Sequence, residues 1–79
     1  MSSLPVSASA ADVEKVLKRV GWVKQRSKSG SHRAFKKAGH KWRIIVPDHG
    51  SGLLAEGTFR AILKQAGLSR EEFFRYLRG

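Results

Sequence analysis

The chain has 79 residues, no cysteine and a formal net charge of +10 at pH 7. This length predicts one small domain, and the lack of cysteine excludes both a disulfide framework and a thiolate metal site. The charge indicates a polyanionic partner, with nucleic acid as the first candidate. The chain shows neither a secretory signal nor an apolar run of the ~18 residues that span a bilayer. We therefore expect a cytoplasmic protein that does not contact membranes.

The first predicted element is a helix that follows a loose start. Residues 2–8 are small and polar, so we expect residues 1–8 to be a flexible extension and residues 9–79 to be the single domain. Ser9 and Asp12 have the spacing of a helix start. Apolar residues then recur at helical spacing, at Val13, Val16, Leu17 and Val20. Gly21 ends this helix, and its basic residues, Lys15, Lys18 and Arg19, are expected to be its solvated side.

Three short strands are predicted next, over residues 22–26, 32–37 and 41–46, with a hairpin turn at 38–40. In the third strand, alternation puts Trp42 on the same face as Ile44 and Val46, and Arg43 on the same face as Ile45. We expect the Trp42 face to be buried against helices and the Arg43 face to stay open. Packing is therefore the expected role of both tryptophans, Trp22 and Trp42, with base stacking as the alternative.

Two more helices complete the predicted order. One begins around Gly57 and Thr58 and ends at Gly67, and the other begins with a capping box formed by Ser69 and Glu72. A helix, three strands and two further helices indicate an α+β fold, with helices covering one face of the sheet.

The candidate site is the triplet Gly30-Ser31-His32. Between Lys15 and Pro47 there is no Asp or Glu, whereas eleven Lys and Arg residues attract anions to this segment. An unperturbed histidine titrates near pH ~6.5 and can therefore transfer a proton near neutrality. Lys28 and Arg33 disfavour the imidazolium form, so we expect His32 to be neutral and able to act as a base. The alternative is a structural histidine that caps a strand.

Other chemistry has weaker support in the sequence. His49 is either a second acid or phosphate ligand or a residue that orders its loop, and His40 is expected to be a solvated turn residue. The three histidines lack the i, i+4 spacing of a helical metal site, and no glycine-rich phosphate loop is present. We therefore expect no metal and no small-molecule cofactor.

Three motifs in order make the chain resemble the HicA toxin family across residues 13–72. The first runs from Gly21-Trp22 through Arg26 to Gly30-Ser31-His32, with Phe35 and Lys36 following it. The second is Val46-Pro47-Asp48-His49-Gly50, and the third is the helix from Gly57 to Leu68. Two departures are Arg33 and Ala34, where a second histidine and a larger aliphatic residue are common. A third is the extension before the first helix.

The resemblance implies a double-stranded-RNA-binding-domain-like α-β-β-β-α fold with a three-stranded antiparallel sheet. It also implies an mRNA interferase, an endoribonuclease whose catalytic residue is His32 and whose partner is a HicB-type antitoxin that masks the active surface. We expect metal-independent cleavage that leaves a 2′,3′-cyclic phosphate and a 5′-hydroxyl. The residues expected to bind RNA are Arg26, Lys28, Gly30, Ser31, Arg33, Lys36, Arg43, His49 and Arg60.

Two other functions remain open at this point. One is an RNA-binding module that does not cleave, and the other is an interaction module whose charge docks an acidic protein. For contacts to an antitoxin, the sequence offers Ile45 and the pair Phe73-Phe74, although the two phenylalanines are equally suited to the core.

Overall fold

The fold is the predicted α+β arrangement of one three-stranded antiparallel sheet and three helices. The computed structural model describes residues 4–26, 32–48 and 52–79. Its elements in chain order are α1 (Ala10–Arg19), β1 (Val23–Lys24), β2 (His32–Lys36), β3 (Ile44–Pro47), α2 (Glu56–Ala66) and α3 (Arg70–Arg78). None of the described helices combines the length and the apolar character needed to cross a membrane.

Helix α1 begins and ends where its sequence signals predict. The Ser9 hydroxyl accepts a hydrogen bond from the Asp12 amide at 3.2 Å, which satisfies one of the free donors of the first turn. After Val20 the chain turns away through Gly21, whose φ of 103° is strained for a residue with a Cβ. The buried stripe of the helix consists of Ala10, Val13, Val16 and Leu17.

The sheet has the order β1-β2-β3, and its two faces differ sharply. Phe35 of β2 lies opposite Ile44 of β3, and both are fully buried together with Val46 under the helices. Ile45, between the two buried β3 residues, is 46% exposed. Alternation along the strands thus gives the sheet one face against the helices and one face free of them, as the sequence predicts.

Trp42 contradicts the sequence prediction that it packs with Ile44 and Val46. The residue is 73% exposed, and β3 begins only at Ile44. Alternation of side chains holds only within a paired strand, so it does not extend back to a residue of the preceding connection. Trp22 does pack in the core, with 2% of its surface exposed.

Three phenylalanines form the centre of the core beneath the helices. The rings of Phe59 and Phe73 meet edge to face with centroids 5.0 Å apart, and Phe74 packs edge to face on Phe73 at 4.9 Å. Phe73 and Phe74 are buried, so they are core residues and are not available to a partner.

The predicted capping box starts α3. The Ser69 hydroxyl accepts from the Glu72 amide at 3.0 Å, and the Glu72 carboxylate accepts from the Ser69 amide at 2.9 Å.

The packed part of the chain begins before residue 9, where the sequence predicts the domain to start. Ser7 and Ala8 are buried, and the Ser7 hydroxyl donates to the carbonyl oxygen of Leu54. The Leu54 amide in turn donates to the carbonyl of Ala8 at 2.9 Å, and Ser9 forms a single bridge with Leu53. This segment therefore joins the start of α1 to the connection that precedes α2.

Candidate functional site

His32 is exposed at the first position of β2, at the end of the sheet where Pro47 lies opposite it in β3. Four other predicted site residues, Lys28, Gly30, Ser31 and His49, lie outside the described residues. The part of the candidate site that the structure describes consists of His32, the strand β2 that positions it, and the cations around the sheet.

The strand pairing assigns His32 to the face that the helices leave uncovered. Because side chains alternate and Phe35 is buried against the helices, His32, Ala34 and Lys36 point to the other side. Directly paired residues share a face, so Ile45 joins Ala34 there and Val23 joins Lys36. We call this surface the open face; it consists of Val23, His32, Ala34, Lys36 and Ile45.

Arg33 lies on the helix side of the sheet and is held by two carboxylates. Its Nη1 is 2.9 Å from Oε1 of Glu14 on α1, and its Nη2 donates to Oδ2 of Asp48 just after β3. Its side chain is only 26% exposed. The structure thus places the Arg33 side chain on the face opposite His32 and pairs its charge with two carboxylates.

Glu14 is the centre of a cluster of ion pairs that joins α1 to β1 and β2. Besides Arg33, its carboxylate contacts Lys18 at 2.9 Å, one helical turn away, and Lys24 at 3.4 Å. Partial burial acts to raise the pKa of Glu14, but the hydrogen bond from Lys18 and the charges of both lysines outweigh it and lower that pKa. Three cations of the acid-free segment, Lys18, Lys24 and Arg33, therefore share the single negative charge of an acid that precedes the segment.

Two more cations of the helix layer hold other elements together. The Arg19 guanidinium donates to the carbonyls of Tyr76 and Leu77, the latter at 3.2 Å, and so caps the end of α3. Lys37 donates to the carbonyl of Val20 at 2.8 Å, at the end of α1. Neither residue was a predicted RNA ligand, and both have structural roles.

Three predicted RNA-binding cations are exposed on or next to the strands that form the open face. Lys36 belongs to that face, and Arg26 and Arg43 are exposed, one shortly after β1 and the other just before β3. Among the described residues, no carboxylate lies within ion-pairing distance of these three cations. Arg60 is also exposed, but it belongs to α2 and therefore to the helix layer on the far side of the sheet.

Sequence reasoning missed one surface feature, a shallow cleft beside Trp42. The cleft is lined by Trp22, His40, Lys41, Trp42 and Gln65. No sequence signal indicated this cleft, because charged neighbours such as Lys41 and Arg43 also flank a buried residue in an alternating strand. In the parts of the chain that the structure describes, no three His, Asp or Glu side chains converge as a metal site requires.

Comparison with known proteins identifies one family. Residues 10–68 match the family described as the HicA toxin of bacterial toxin–antitoxin systems. This range runs from the first residue of α1 to just past the end of α2, and so includes the whole sheet and His32. No curated protein matches the chain.

Proposed function

The chain belongs to the HicA toxin family of bacterial toxin–antitoxin systems, and from this premise we propose that it is a type II toxin that cleaves mRNA. In this proposal the protein is an endoribonuclease that needs no metal ion and acts in the cytoplasm. His32 transfers the proton, and a HicB-type antitoxin inhibits the reaction.

The observation that supports the proposal best is the location of His32. It is exposed at one end of the open face, which also bears Lys36. Arg26 and Arg43 are exposed in the chain segments next to β1 and β3. A phosphodiester that approaches this face meets cations that no carboxylate among the described residues pairs with. His32 is exposed on this face and is therefore accessible to a bound RNA strand.

The reaction uses the nucleophile that RNA itself contains. His32 in its neutral form removes the proton from a ribose 2′-hydroxyl, whose oxygen then attacks the adjacent phosphorus. The bond from phosphorus to the 5′-oxygen breaks as that oxygen takes up a proton from water, and the protonated His32 returns the proton of the 2′-hydroxyl to the solvent. The products are a 2′,3′-cyclic phosphate and a 5′-hydroxyl. Nearby Lys and Arg side chains stabilise the additional negative charge on the phosphoryl oxygens in the transition state.

The open face is also the proposed binding surface for the antitoxin. Val23 and Ile45 are 62% and 46% exposed on it, next to the cationic Lys36. Apolar side chains with a basic rim suit a partner that has apolar contacts and acidic groups. Binding of the antitoxin and of RNA is then mutually exclusive, because both need this face.

The decisive experiment compares the wild type with His32→Ala under tightly controlled expression, with growth and RNA integrity as readouts. We expect the wild type to arrest growth and degrade RNA, and His32→Ala to do neither while it keeps its circular dichroism spectrum. Lys15→Ala, an exposed cation of α1, is the matched control and should behave as the wild type.

Three results would contradict parts of the proposal. Equal arrest by the wild type and His32→Ala would remove His32 from the mechanism. Loss of cleavage in the presence of a chelator would exclude the metal-independent reaction. RNA that binds equally well to both proteins and stays intact would favour the module that binds without cleaving.

A further inference from the structure

The cleft beside Trp42 has the features of a second ligand site, at the far end of the sheet from His32. Trp42 is 73% exposed in the connection between β2 and β3. The cleft encloses about 130 Å³ between this connection and Gln65, close to the end of α2. A large aromatic side chain so exposed at the mouth of a cleft is a surface on which a flat ring can stack.

Trp22 and His40 form an aromatic part of the lining of the cleft. Trp22 lines the cleft and is 2% exposed, and its indole Nε1 is buried with no hydrogen-bond acceptor among the described residues. A buried indole N–H usually has an acceptor, since an unpaired one destabilises the protein. The His40 ring packs on Trp22 with centroids 4.8 Å apart, so this part of the lining is aromatic as well.

The charges around the cleft select an anionic partner. Lys41 Nζ lies 5.3 Å from the centre of the Trp42 ring, and Arg43 is exposed on its other side along the chain. No acidic residue occurs between Lys15 and Pro47. A ligand that joins a flat ring with acceptor atoms to a flanking anion satisfies all these groups, and a nucleotide is such a ligand.

We propose that this cleft binds an unpaired nucleobase of the RNA, which stacks on Trp42 while Lys41 and Arg43 hold the neighbouring phosphates. The inference rests on the proposed function, because it assigns a subsite for the same RNA. It makes Trp42 a residue that positions the strand and selects for single-stranded RNA.

The distance from His32 separates this subsite from the reaction. His32 is the first residue of β2 and Lys36 the last, so four residue steps place the two ends about 13 Å apart. Trp42 lies beyond the Lys36 end, in the connection to β3. Stacked nucleotides are about 3.4 Å apart along a strand, so the base in the cleft is several nucleotides from the bond that is cleaved.

The test measures RNA affinity in the His32→Ala background, so that cleavage does not interfere. A fluorescent single-stranded RNA of twelve nucleotides is titrated with this parent protein and with its Trp42→Ala and Trp42→Phe derivatives. Loss of one stacked base should weaken binding about 5- to 100-fold in Trp42→Ala. Trp42→Phe should retain most of the affinity. A blunt-ended RNA duplex of the same length has no unpaired base to stack on Trp42 and should bind the parent and Trp42→Ala equally.

Tyr76→Ala provides the matched control. Tyr76 is also an exposed aromatic residue next to a cation, with Arg75 5.9 Å from its ring centre, but it lies on α3. Its removal should leave RNA affinity unchanged. In addition, RNA should quench the tryptophan fluorescence of the parent protein but not that of the Trp42→Phe derivative.

The outcomes separate this inference from the proposed function. If the parent binds the RNA and Trp42→Ala binds it equally well, the subsite is refuted and the proposed function stands. The same holds if Trp42→Ala loses affinity only for the antitoxin, which would make the cleft a protein-docking site. If the parent binds no RNA of any length, the proposed function and the subsite both fail.

Discussion

His32 and Arg33 are neighbours in β2, yet their side chains lie on opposite faces of the sheet. His32 is exposed on the open face, whereas Arg33 is held between Glu14 and Asp48 on the helix side. These two acids directly flank the segment from Lys15 to Pro47 that contains none. Part of the positive charge of this segment is therefore paired on the helix side, while Lys36 remains exposed on the open face.

Arg33 should matter for stability and not for RNA affinity. Arg33→Ala leaves Asp48 and Glu14 without their shared partner, which should cost about 1–3 kcal/mol and lower the Tm by roughly 4–8 °C per kcal/mol. Arg33→Lys should recover only part of this, because an ammonium group cannot make both contacts as a guanidinium does. Thermal unfolding measures the effect. A fall in RNA affinity at a temperature where Arg33→Ala is folded would instead assign the residue to the binding surface.

Lys36 should show the opposite pattern. Its side chain is on the open face, so Lys36→Ala should change stability by less than about 0.5 kcal/mol. It should weaken RNA binding and reduce the slope of log K against log salt by about 0.7 if one phosphate contact is lost. Affinities at several salt concentrations, measured with cleavage-deficient His32→Ala protein, give this slope. An unchanged slope would mean that no phosphate of the bound strand contacts Lys36.

Glu14 should make stability depend on pH in the acid range. Its pKa in the folded protein is below the ordinary value of 4.5, since Lys18 and Lys24 outweigh the opposing effect of burial. The stabilisation is therefore complete above about pH 4.5 and is lost as the pH falls through the lowered folded-state pKa. We expect the stability difference between the wild type and Glu14→Gln to be largest near neutrality and to shrink below pH 4.5. Urea unfolding between pH 7 and pH 3 tests this, and a difference constant over that range would contradict it.

Ser7 should stabilise the domain although it precedes the first helix. Ser7→Ala leaves the Leu54 carbonyl without its hydroxyl donor in a buried setting, which should cost about 1–2 kcal/mol. Val6→Ala is the matched control, because Val6 is the neighbouring residue and is 52% exposed. Chemical denaturation of the two variants compares them. Equal stability of Ser7→Ala and the wild type would show that the hydrogen bond from Ser7 to Leu54 does not stabilise the domain.

Local signals in the sequence were sufficient for the order of the elements and for the starts of α1 and α3. Ser9 and the pair Ser69 and Glu72 cap helices through contacts within three residues, so their spacing alone is informative. Alternation within β3 correctly assigned Ile44 and Val46 to the core and Ile45 to the surface. The same rule failed at Trp42, because the strand had not yet begun there.

The sequence by itself determined the fold class, the family and His32 as the candidate catalytic residue, since these depend on periodicity, short motifs and composition. Only the tertiary structure decided which cations are available to a ligand. Arg33, Lys24 and Arg19 find partners in distant parts of the chain, at Asp48, Glu14 and the end of α3. Such pairings depend on how the helices pack on the sheet, and no local pattern encodes them. The exposure of Trp42 and the missing hydrogen-bond acceptor of the Trp22 indole also depend on this packing, so the sequence does not predict them.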